Sequence, residues 1–211
     1  MLPPPPLPSD RATAMARNED TDLSCCGIIV TLTLAVVLVL AYAFVVPVRV
    51  TVDEATLGRL ALTTPPPRNG TAPASFAYDL SLAVALRNRN WAMAVWRTAP
   101  LVAELRFRGR PFARAGLAGA GRDRIGAKRK EVYRVALAAE SAPVALGRAG
   151  VAEFARASAA GVFELELAVA GEVRYEAHNR RSLRVTCPLK LSLSTATAVA
   201  PFSRVKCTHA G

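Results

Sequence analysis

Histidine is scarce in this chain, and the motifs of the common enzyme classes are missing with it. Only His178 and His209 occur among 211 residues. There is no Gly-x-Ser-x-Gly elbow, no His-Glu-x-x-His pair and no phosphate-cradling glycine loop. Glu164 and Glu166 share one face of a predicted strand, and they fit the solvated side of an alternating pattern. The sequence therefore predicts no catalytic residue, no cofactor and no enzymatic activity.

Nucleic-acid-binding modules are also missing, although the chain is basic. It has no zinc-finger spacing, no aromatic RNA-binding motif and no basic heptad helix. The formal net charge is +11, and all but two of the 27 cations lie from Arg49 onward. A basic domain is attracted to anionic surfaces such as phospholipid headgroups or acidic polysaccharides. The alternative is that arginine only keeps an alanine-rich surface soluble.

Charge is absent from Leu23 to Val48, and residues 28–46 are almost wholly aliphatic. About 20 such residues cross a bilayer core of roughly 30 Å at ~1.5 Å per residue. A soluble helix needs a polar face, and this segment has none. We predict a transmembrane signal-anchor helix over residues 23–47. The alternative is a signal peptide cleaved after the small-x-small residues 41–43, but the apolar run is too long and the segment before it is acidic.

The composition on either side of this run predicts the domain organisation. Residues 1–22 are proline-rich and then charged, which is typical of a short disordered tail, here placed in the cytosol. Residues 48–75 are predicted to hold a juxtamembrane strand and a proline-rich linker. Residues 76–211 form the predicted distal domain.

Hydrophobic residues recur with a period of two from residue 76, which predicts β-strands with one buried face. The longest run is Phe76, Tyr78, Leu80, Leu82, Val84 and Leu86. Shorter runs follow at 93–98, 101–108, 132–137, 163–169 and 183–193. Residues 143–160 are spaced more like a short helix, and 114–130 are basic and glycine-spaced. The pattern predicts a mainly β fold, an antiparallel β-sandwich.

The four cysteines fall into two pairs. Cys25 and Cys26 open the predicted membrane helix, as candidates for S-acylation or as two ordinary helix cysteines. Cys187 and Cys207 lie in the distal domain and are a candidate disulfide. Two free thiols and a metal site are the alternatives for this second pair, but the Cys-x-x-Cys spacing of zinc sites is missing. We predict no metal site.

The orientation of the predicted span does not follow from charge, because two arginines lie near each of its ends. Asn69 opens an Asn-Gly-Thr sequon in a proline-rich stretch and is a candidate N-glycosylation site. A disulfide in the distal domain would suit the same, oxidising side. We therefore predict a cytosolic N-terminus and an extracellular distal domain.

Polar residues interrupt the alternating pattern at Asn88, Arg89 and Asn90. A tight connection between two strands explains the interruption, because asparagine bonds to nearby backbone and tolerates a positive φ. We predict a structural turn rather than a reactive loop. Trp91 and Trp96 are an odd number of residues apart, so we expect one to pack in the core and the other to cover an edge.

These features together resemble the plant harpin-induced, non-race-specific-disease-resistance-like proteins. The resemblance rests on the short tail, the Cys-Cys pair at one membrane span, and a β-rich domain similar to the late embryogenesis abundant type 2, or water-stress-and-hypersensitive-response, domain over about residues 76–190. Residues 80–90 match the family's first strand and its Asn-Pro-Asn-Lys-like turn, with Arg89 in place of proline. Trp96 stands near the family's usual tyrosine, and residues 105–109 match the third element.

The resemblance implies a single-pass plasma-membrane protein with a fibronectin type III or immunoglobulin-like sandwich outside the cell. It implies a non-enzymatic role in defence, the hypersensitive response or abiotic stress, through protein partners. The alternative is an adhesion module that binds anionic lipid or cell-wall polysaccharide through its basic surface. Such a module should gather on one face the cations Arg106, Arg108, Arg110, Arg114, Lys128, Arg129 and Lys130.

Overall fold

The computed structural model of the protein describes most of the chain in two compact units, which divide between Val45 and Val46. The described residues are 27–40, 44–63, 74–119, 121, 123–176, 178–195, 198 and 200–209. The candidate acylation and glycosylation sites, Cys25, Cys26 and Asn69, lie outside them.

Residues 27–40 form the first helix, α1. The predicted helix spans residues 23–47, of which residues 23–26 and 41–43 lie outside the described residues. Residues 44–47 are described and are not helical, so the predicted C-terminal end of the helix is wrong. Within the part of the chain that the structure describes, no helix has the length and apolar character needed to cross a bilayer.

The second unit is built almost entirely of antiparallel strands. They are β1 Arg49–Thr63, β2 Ala74–Arg87, β3 Val95–Arg97, β4 Leu101–Phe107, β5 Arg110–Ala118, β6 Arg124–Ile125, β7 Lys130–Val144, β8 Val162–Tyr175, β9 Arg180–Ser192, β10 Val205–Lys206 and β11 Thr208–His209. A second helix, α2, covers Gly147–Ala160 between β7 and β8.

Two sheets make up this unit. The first has the order β10-β1-β2-β7, and the second has the order β11-β9-β8-β3-β6. Strand β4 pairs with β8 on one side and β5 on the other, so β3 and β4 lie along the same edge of β8. The prediction of a mainly β, antiparallel, sandwich-like fold is confirmed.

Strand β1 extends the domain beyond its predicted boundary. Residues 48–75 are predicted to hold a juxtamembrane strand and a linker, and β1 pairs with β2 of the domain from Arg49 to Thr63. The pairing contains two register shifts, between Val52 and Glu54 and between Leu57 and Arg59. These shifts break the period of two, which explains why the sequence pattern underestimated the strand.

Strand β5 begins before the basic, glycine-spaced stretch 114–130 and overlaps its first residues. Its buried residues, Phe112, Ala113 and Leu117, do not alternate. Its pairing with β4 is irregular at two points, so the strand has no clear period. A positive φ at Arg108 and at Gly109 closes the β4–β5 hairpin, as a two-residue type I′ turn requires.

Phenylalanine rings fill the end of the sandwich where α2 packs. The Phe154 ring of α2 lies 5.1 Å from Phe76, 5.9 Å from Phe107 and 5.5 Å from Phe163, between ring centroids. Phe112 of β5 adds an edge-on contact to Phe76 at 5.2 Å. This cluster joins both sheets to α2. At the opposite end two asparagines are buried together with apolar residues such as Met93 and Ile125.

Candidate functional site

The end of the sandwich opposite the phenylalanine cluster is organised by two buried asparagines, and we call it the Val46 end. Asn88 is 0% exposed and Asn90 is 2% exposed, although both follow a strand in a connecting segment. Buried amides must have hydrogen-bond partners, because an unpaired one costs about 1–3 kcal/mol. Their partners show what the turn holds together.

The side chain of Asn88 is fully used. Its Nδ2 lies 2.8 Å from the Met93 carbonyl oxygen, 3.2 Å from that of Ile125 and 3.1 Å from that of Gly126. Its Oδ1 accepts from the backbone N–H and from Nδ2 of Asn90, both at 3.0 Å. The Asn88 side chain therefore joins the segment that precedes β3 to strand β6 and to the turn that follows β6.

Asn90 extends this network to the first residues of the domain. Its Oδ1 accepts from the Val46 N–H at 2.8 Å, and its Nδ2 donates to the Val46 carbonyl oxygen at 2.9 Å. The backbone N–H of Val48 then donates to the Tyr175 hydroxyl at 2.9 Å. The structural turn at Asn88, Arg89 and Asn90 stays a prediction. The structure places both asparagines where they bind the first residues of the domain.

Tyr175 is kept neutral at this point. Burial raises the pKa of its phenol, although the Val48 N–H bond and the Arg181 charge oppose that rise. The Arg181 guanidinium lies 5.9 Å from the centre of the ring. The hydroxyl thus serves as a hydrogen-bond acceptor for the backbone.

Exposed cations surround the buried asparagines. We call Arg49, Arg87, Arg89 and Lys128 the basic rim, and all four are exposed. With Val46 and Trp91 they line a surface concavity of about 290 Å³. No carboxylate lines it, whereas four other concavities of the described surface each include at least one glutamate.

Pairing between strands sets the rim cations side by side. Arg87 is the cross-strand neighbour of Arg49 on β1 and of Lys130 on β7. Like charges directly opposite each other in a sheet are destabilising. Lys130 is neutralised by Asp53 at 2.9 Å, but no ion pair among the described residues involves Arg49 or Arg87.

Asp53 is the neighbouring carboxylate, and it is already occupied. Burial alone would raise its pKa, but hydrogen bonds from Lys130 and Thr51 and the charges of Lys130 and Arg204 hold the pKa below its usual value. Its Oδ1 lies 2.9 Å from Nε of Arg204, and its Oδ2 lies 2.9 Å from Nζ of Lys130. This carboxylate therefore binds β7 and the C-terminal segment to β1, and it leaves the rim uncompensated.

Lys128 adopts an unusual backbone conformation at this site. Its φ is +58°, in the left-handed region that glycine or asparagine occupies at lower cost. Its backbone N–H donates to the Asn90 carbonyl oxygen at 3.0 Å. Lysine at such a position carries strain that a glycine would relieve.

The two tryptophans differ from the expectation that one packs in the core. Trp91 is 59% exposed beside the basic rim. Trp96 is half-buried, with the Arg124 guanidinium 5.8 Å from its ring centre. The inward positions of the short strand β3 are Val95 and Arg97, so neither indole reaches the interior.

Arg97 is a buried charge that sequence reasoning missed. It is 3% exposed, its Nε lies 3.1 Å from Oδ2 of Asp123, and its Nη1 donates to the carbonyl oxygens of Ala99 and Gly119. In a β-strand, residues two apart lie on the same face, so the sequence places Val95 and Arg97 together. It does not show which of the two faces of the strand is buried. The contacts hold the segment before β6 in place.

The seven cations expected on one face lie at both ends of the sandwich. Arg108 lies in the β4–β5 hairpin turn and Arg110 follows it, close to the Phe76 end of β2 through Phe107 and Phe112. Lys130 pairs with Arg87 at the other end of β2, roughly 35 Å away at ~3.3 Å per residue. A single face built from these seven residues does not form. The basic rim is a different set, of which only Lys128 was anticipated.

A disulfide joins Cys187 of β9 to Cys207, with the sulfurs 1.98 Å apart. Cys207 lies between β10, which pairs with β1, and β11, which pairs with β9. The C-terminal segment therefore bridges the edges of both sheets, and the disulfide fastens it. Pro188 follows Cys187 on β9. Among the described residues, β11 pairs with the outer edge of β9 at Val185 and Thr186, and the edge beyond them accommodates proline.

The remaining polar residues give no catalytic arrangement within the described part of the chain. No group of three or more histidine, cysteine or acidic residues there is placed to hold a metal ion. Glu164 and Glu166 are exposed and share a shallow groove with Arg108 and Lys190. That groove has mixed charge and carries no buried titratable side chain.

Comparison with protein-family models and with curated proteins finds no match. Among solved structures, a protein from Archaeoglobus fulgidus is similar at 8% identity and a TM-score of 0.34, over 68% of this chain and 98% of that one. A Northeast Structural Genomics Consortium target is similar at 12% identity and a TM-score of 0.37, over 69% of this chain and 86% of that one. Similarity at this level carries no argument about function.

Proposed function

We propose that this chain is a non-enzymatic, single-pass plasma-membrane protein of plant defence or stress response that acts through an extracellular β-sandwich. The N-terminus lies in the cytosol, and the sandwich meets its protein partners outside the cell. The observation that carries the proposal is the charge-free run of residues 23–48, which leads directly into a domain that begins at Val46.

The disulfide supports the extracellular side. Disulfides persist in oxidising compartments and are rare in the cytosol. The Cys187–Cys207 bond fastens a segment that pairs with both sheets, so its loss would loosen the sandwich edge. A domain that depends on this bond is suited to the outside of the cell, as is the sequon at Asn69.

The defence or stress role rests on the resemblance to the harpin-induced family and its late embryogenesis abundant type 2 domain. The two-sheet antiparallel architecture is compatible with the fibronectin type III-like fold that the resemblance implies. The asparagine pair lies where the family has its turn, and here it holds the entering chain to the domain.

Membrane integration and orientation are tested first. The full-length chain, with one tag at each end, is expressed in plant cells and extracted with alkaline carbonate. We expect both tags in the pellet, and in intact cells we expect external protease to remove only the C-terminal tag. A soluble chain after carbonate extraction, or a protected C-terminal tag, would contradict the anchor or the orientation, respectively.

The biological role is tested separately. Proximity labelling from the C-terminal tag, compared with a tag on the same anchor lacking the sandwich, should enrich receptors or other defence components at the cell surface. Enrichment of cytosolic proteins alone would argue against the proposed role. The Asn69→Gln variant reports glycosylation by its mobility: wild type should migrate more slowly than the variant and should match it after glycosidase treatment. Equal mobility of the two untreated proteins would remove that support.

A second candidate function is adhesion, through binding of anionic lipid or cell-wall polysaccharide. The basic rim favours it, because four cations surround one concavity without a carboxylate. The two candidate functions differ in their expected salt dependence. Binding to a polyanion through exposed charges should weaken strongly as the ionic strength rises.

A further inference from the structure

We infer that the basic rim and Trp91 bind the phosphate-bearing headgroups of a phospholipid bilayer containing anionic lipid. The inference deepens the proposed function and rests on its anchor, since the domain begins at Val46 and the charge-free run ends at Val48. It assigns a partner to one end of the sandwich that the defence role alone does not explain.

The first argument is uncompensated charge. Arg49 and Arg87 are cross-strand neighbours, both are exposed, and neither has an ion pair among the described residues. Folding gains nothing from this arrangement, because the two like charges repel. A phosphate group placed between them would remove the repulsion and form charge-assisted hydrogen bonds with the guanidinium groups.

The second argument is the exposed indole. Trp91 presents 59% of its surface beside four cations, in a segment whose backbone is held by Asn88 and Asn90. Tryptophan combines a polar indole N–H with a large apolar ring, and it is enriched at the membrane–water interface. Cations with an adjacent tryptophan suit a headgroup layer better than a purely polar polymer.

The third argument is the conformation of Lys128. A positive φ at a lysine is tolerated where the surrounding structure enforces it, and such outliers collect at functional positions. Glycine would relieve the strain but would remove a cation from the rim. Both described non-glycine residues with positive φ lie in tight turns, Arg108 in the β4–β5 hairpin and Lys128 in a turn that the Arg129 N–H closes onto the Gly126 carbonyl oxygen at 3.1 Å. What distinguishes Lys128 is the cation that this turn places in the rim.

The number of rim cations sets the expected change in affinity for an anionic membrane. Each cation next to an anionic surface raises the affinity about fivefold. Removing three rim cations therefore lowers it roughly a hundredfold, which is enough to abolish the contact at physiological salt. Arg87 and Arg89 tolerate exchange for glutamine because both are exposed.

Trp91 serves as the reporter in the full-length chain. The protein contains two tryptophans, so a Trp96→Phe background leaves Trp91 as the only one. This protein is reconstituted with vesicles of phosphatidylcholine alone or with added phosphatidylglycerol, and quenching by neutral acrylamide is measured. We expect phosphatidylglycerol to shift the emission to the blue and to protect Trp91 from quenching, with both effects lost in high salt.

Two charge variants make the test specific. The rim variant combines Arg87→Gln, Arg89→Gln and Lys128→Gly and should lose the protection, while its thermal unfolding midpoint is unchanged or higher. The matched control carries three exchanges on the β4–β5 hairpin, outside the rim, Arg108→Asn, Arg110→Gln and Arg114→Gln, and should keep the protection. Protection that survives in the rim variant, or that disappears equally in both variants, overturns the inference.

The remaining outcomes test the headgroup contact and the membrane anchor independently of each other. Equal quenching in the two lipid mixtures overturns the headgroup contact, even when carbonate extraction shows an integral protein. Stronger protection by soluble polygalacturonate than by anionic vesicles also overturns it and assigns the rim to a polymer. A chain that carbonate extracts, but whose Trp91 is protected by phosphatidylglycerol vesicles, refutes the anchor and supports the headgroup contact.

Discussion

Exchanging Asn88 for aspartate keeps the shape of the side chain but removes the two amide hydrogens at the centre of the Val46 end. The carbonyl oxygens of Met93, Ile125 and Gly126 lie 2.8, 3.2 and 3.1 Å from the present nitrogen. An aspartate carboxylate would meet those oxygens with a negative charge, in a site that is 0% exposed. The variant therefore replaces three attractive contacts by repulsive ones.

The magnitude follows from the groups left without partners. Each buried polar group without a partner costs about 1–3 kcal/mol, and an unpaired buried charge costs about 3–5 kcal/mol. These costs overlap, so we expect Asn88→Asp to lose about 4 kcal/mol of unfolding free energy at neutral pH. A loss of this size is a large part of the 5–15 kcal/mol that typically separates folded from unfolded domains.

The loss should depend on pH with a defined sign. Burial and the facing carbonyl oxygens would raise the pKa of the new carboxyl in the folded state above the ~3.9 of unfolded aspartate. A raised folded pKa means that the folded state binds the proton more tightly, so the variant regains stability as the pH falls. The gap to wild type is smallest below pH ~4 and widens as the pH rises through the raised folded pKa.

Urea unfolding of the full-length chain in mild detergent, followed by circular dichroism at pH 4.5 and pH 7.5, measures this gap. Arg89→Gln is the matched control, because Arg89 lies in the same turn but is exposed and should change the unfolding free energy by less than about 0.5 kcal/mol. A loss below about 1 kcal/mol for Asn88→Asp at pH 7.5, or an equal loss at both pH values, would refute the reasoning.

Three further predictions concern the core, the disulfide and the ion pairs. Phe154→Ala, which empties a buried site among three phenylalanine rings, should cost about 3–5 kcal/mol in urea unfolding; a cost below about 1 kcal/mol would show that α2 is not part of the core. Reducing the Cys187–Cys207 bond, which closes a loop with a sequence separation of 20, should cost about 3 kcal/mol, and an unfolding midpoint unaffected by reductant would contradict this. Asp53→Asn should cost about 1–2 kcal/mol at pH 7 but little at pH 2, since a depressed folded pKa gives stability that is lost as the pH falls through it. Glu140→Gln, which breaks an exposed pair, should cost less than about 0.5 kcal/mol at either pH, and equal effects of the two variants would refute the special role of Asp53.

Much of the architecture was predictable from local pattern. The alternation from Phe76 to Leu86 lies within β2, and the runs at 163–169 and 183–193 lie mostly within β8 and β9. A period of two reports directly on a half-buried strand, so these elements needed no tertiary information. The helical spacing within 143–160 likewise corresponds to α2.

Elements with irregular pairing were not predictable to the same extent. The register shifts in β1 and β5 disrupt the alternation on which the pattern depends, so one strand was underestimated and the other was missed. The buried side of β3 was also undetermined. Three residues are too few for the hydrophobic pattern to show that Arg97 faces inward and Trp96 does not.

The candidate site shows the same division between local and long-range information. Asn88 and Asn90 were recognisable as turn residues from the break in the pattern, because their chemistry acts within a few residues. Their bonds to Val46, Ile125 and Gly126 join segments far apart in the chain, and no local pattern encodes such contacts. Most of the basic rim was missed for this reason, since Arg49 meets Arg87 only through strand pairing.

Four properties follow from the order of amino acids along the chain: the apolar run, the strand-forming pattern, the excess of cations and the pair of distal cysteines. Each depends on composition or on neighbouring residues. Three others arise from packing in three dimensions: which cations lie together, the exposure of Trp91 beside them, and the attachment of both sheets through the Cys187–Cys207 bond. The reason is physical: charge acts through distance in space, and strand pairing sets that distance independently of separation along the chain.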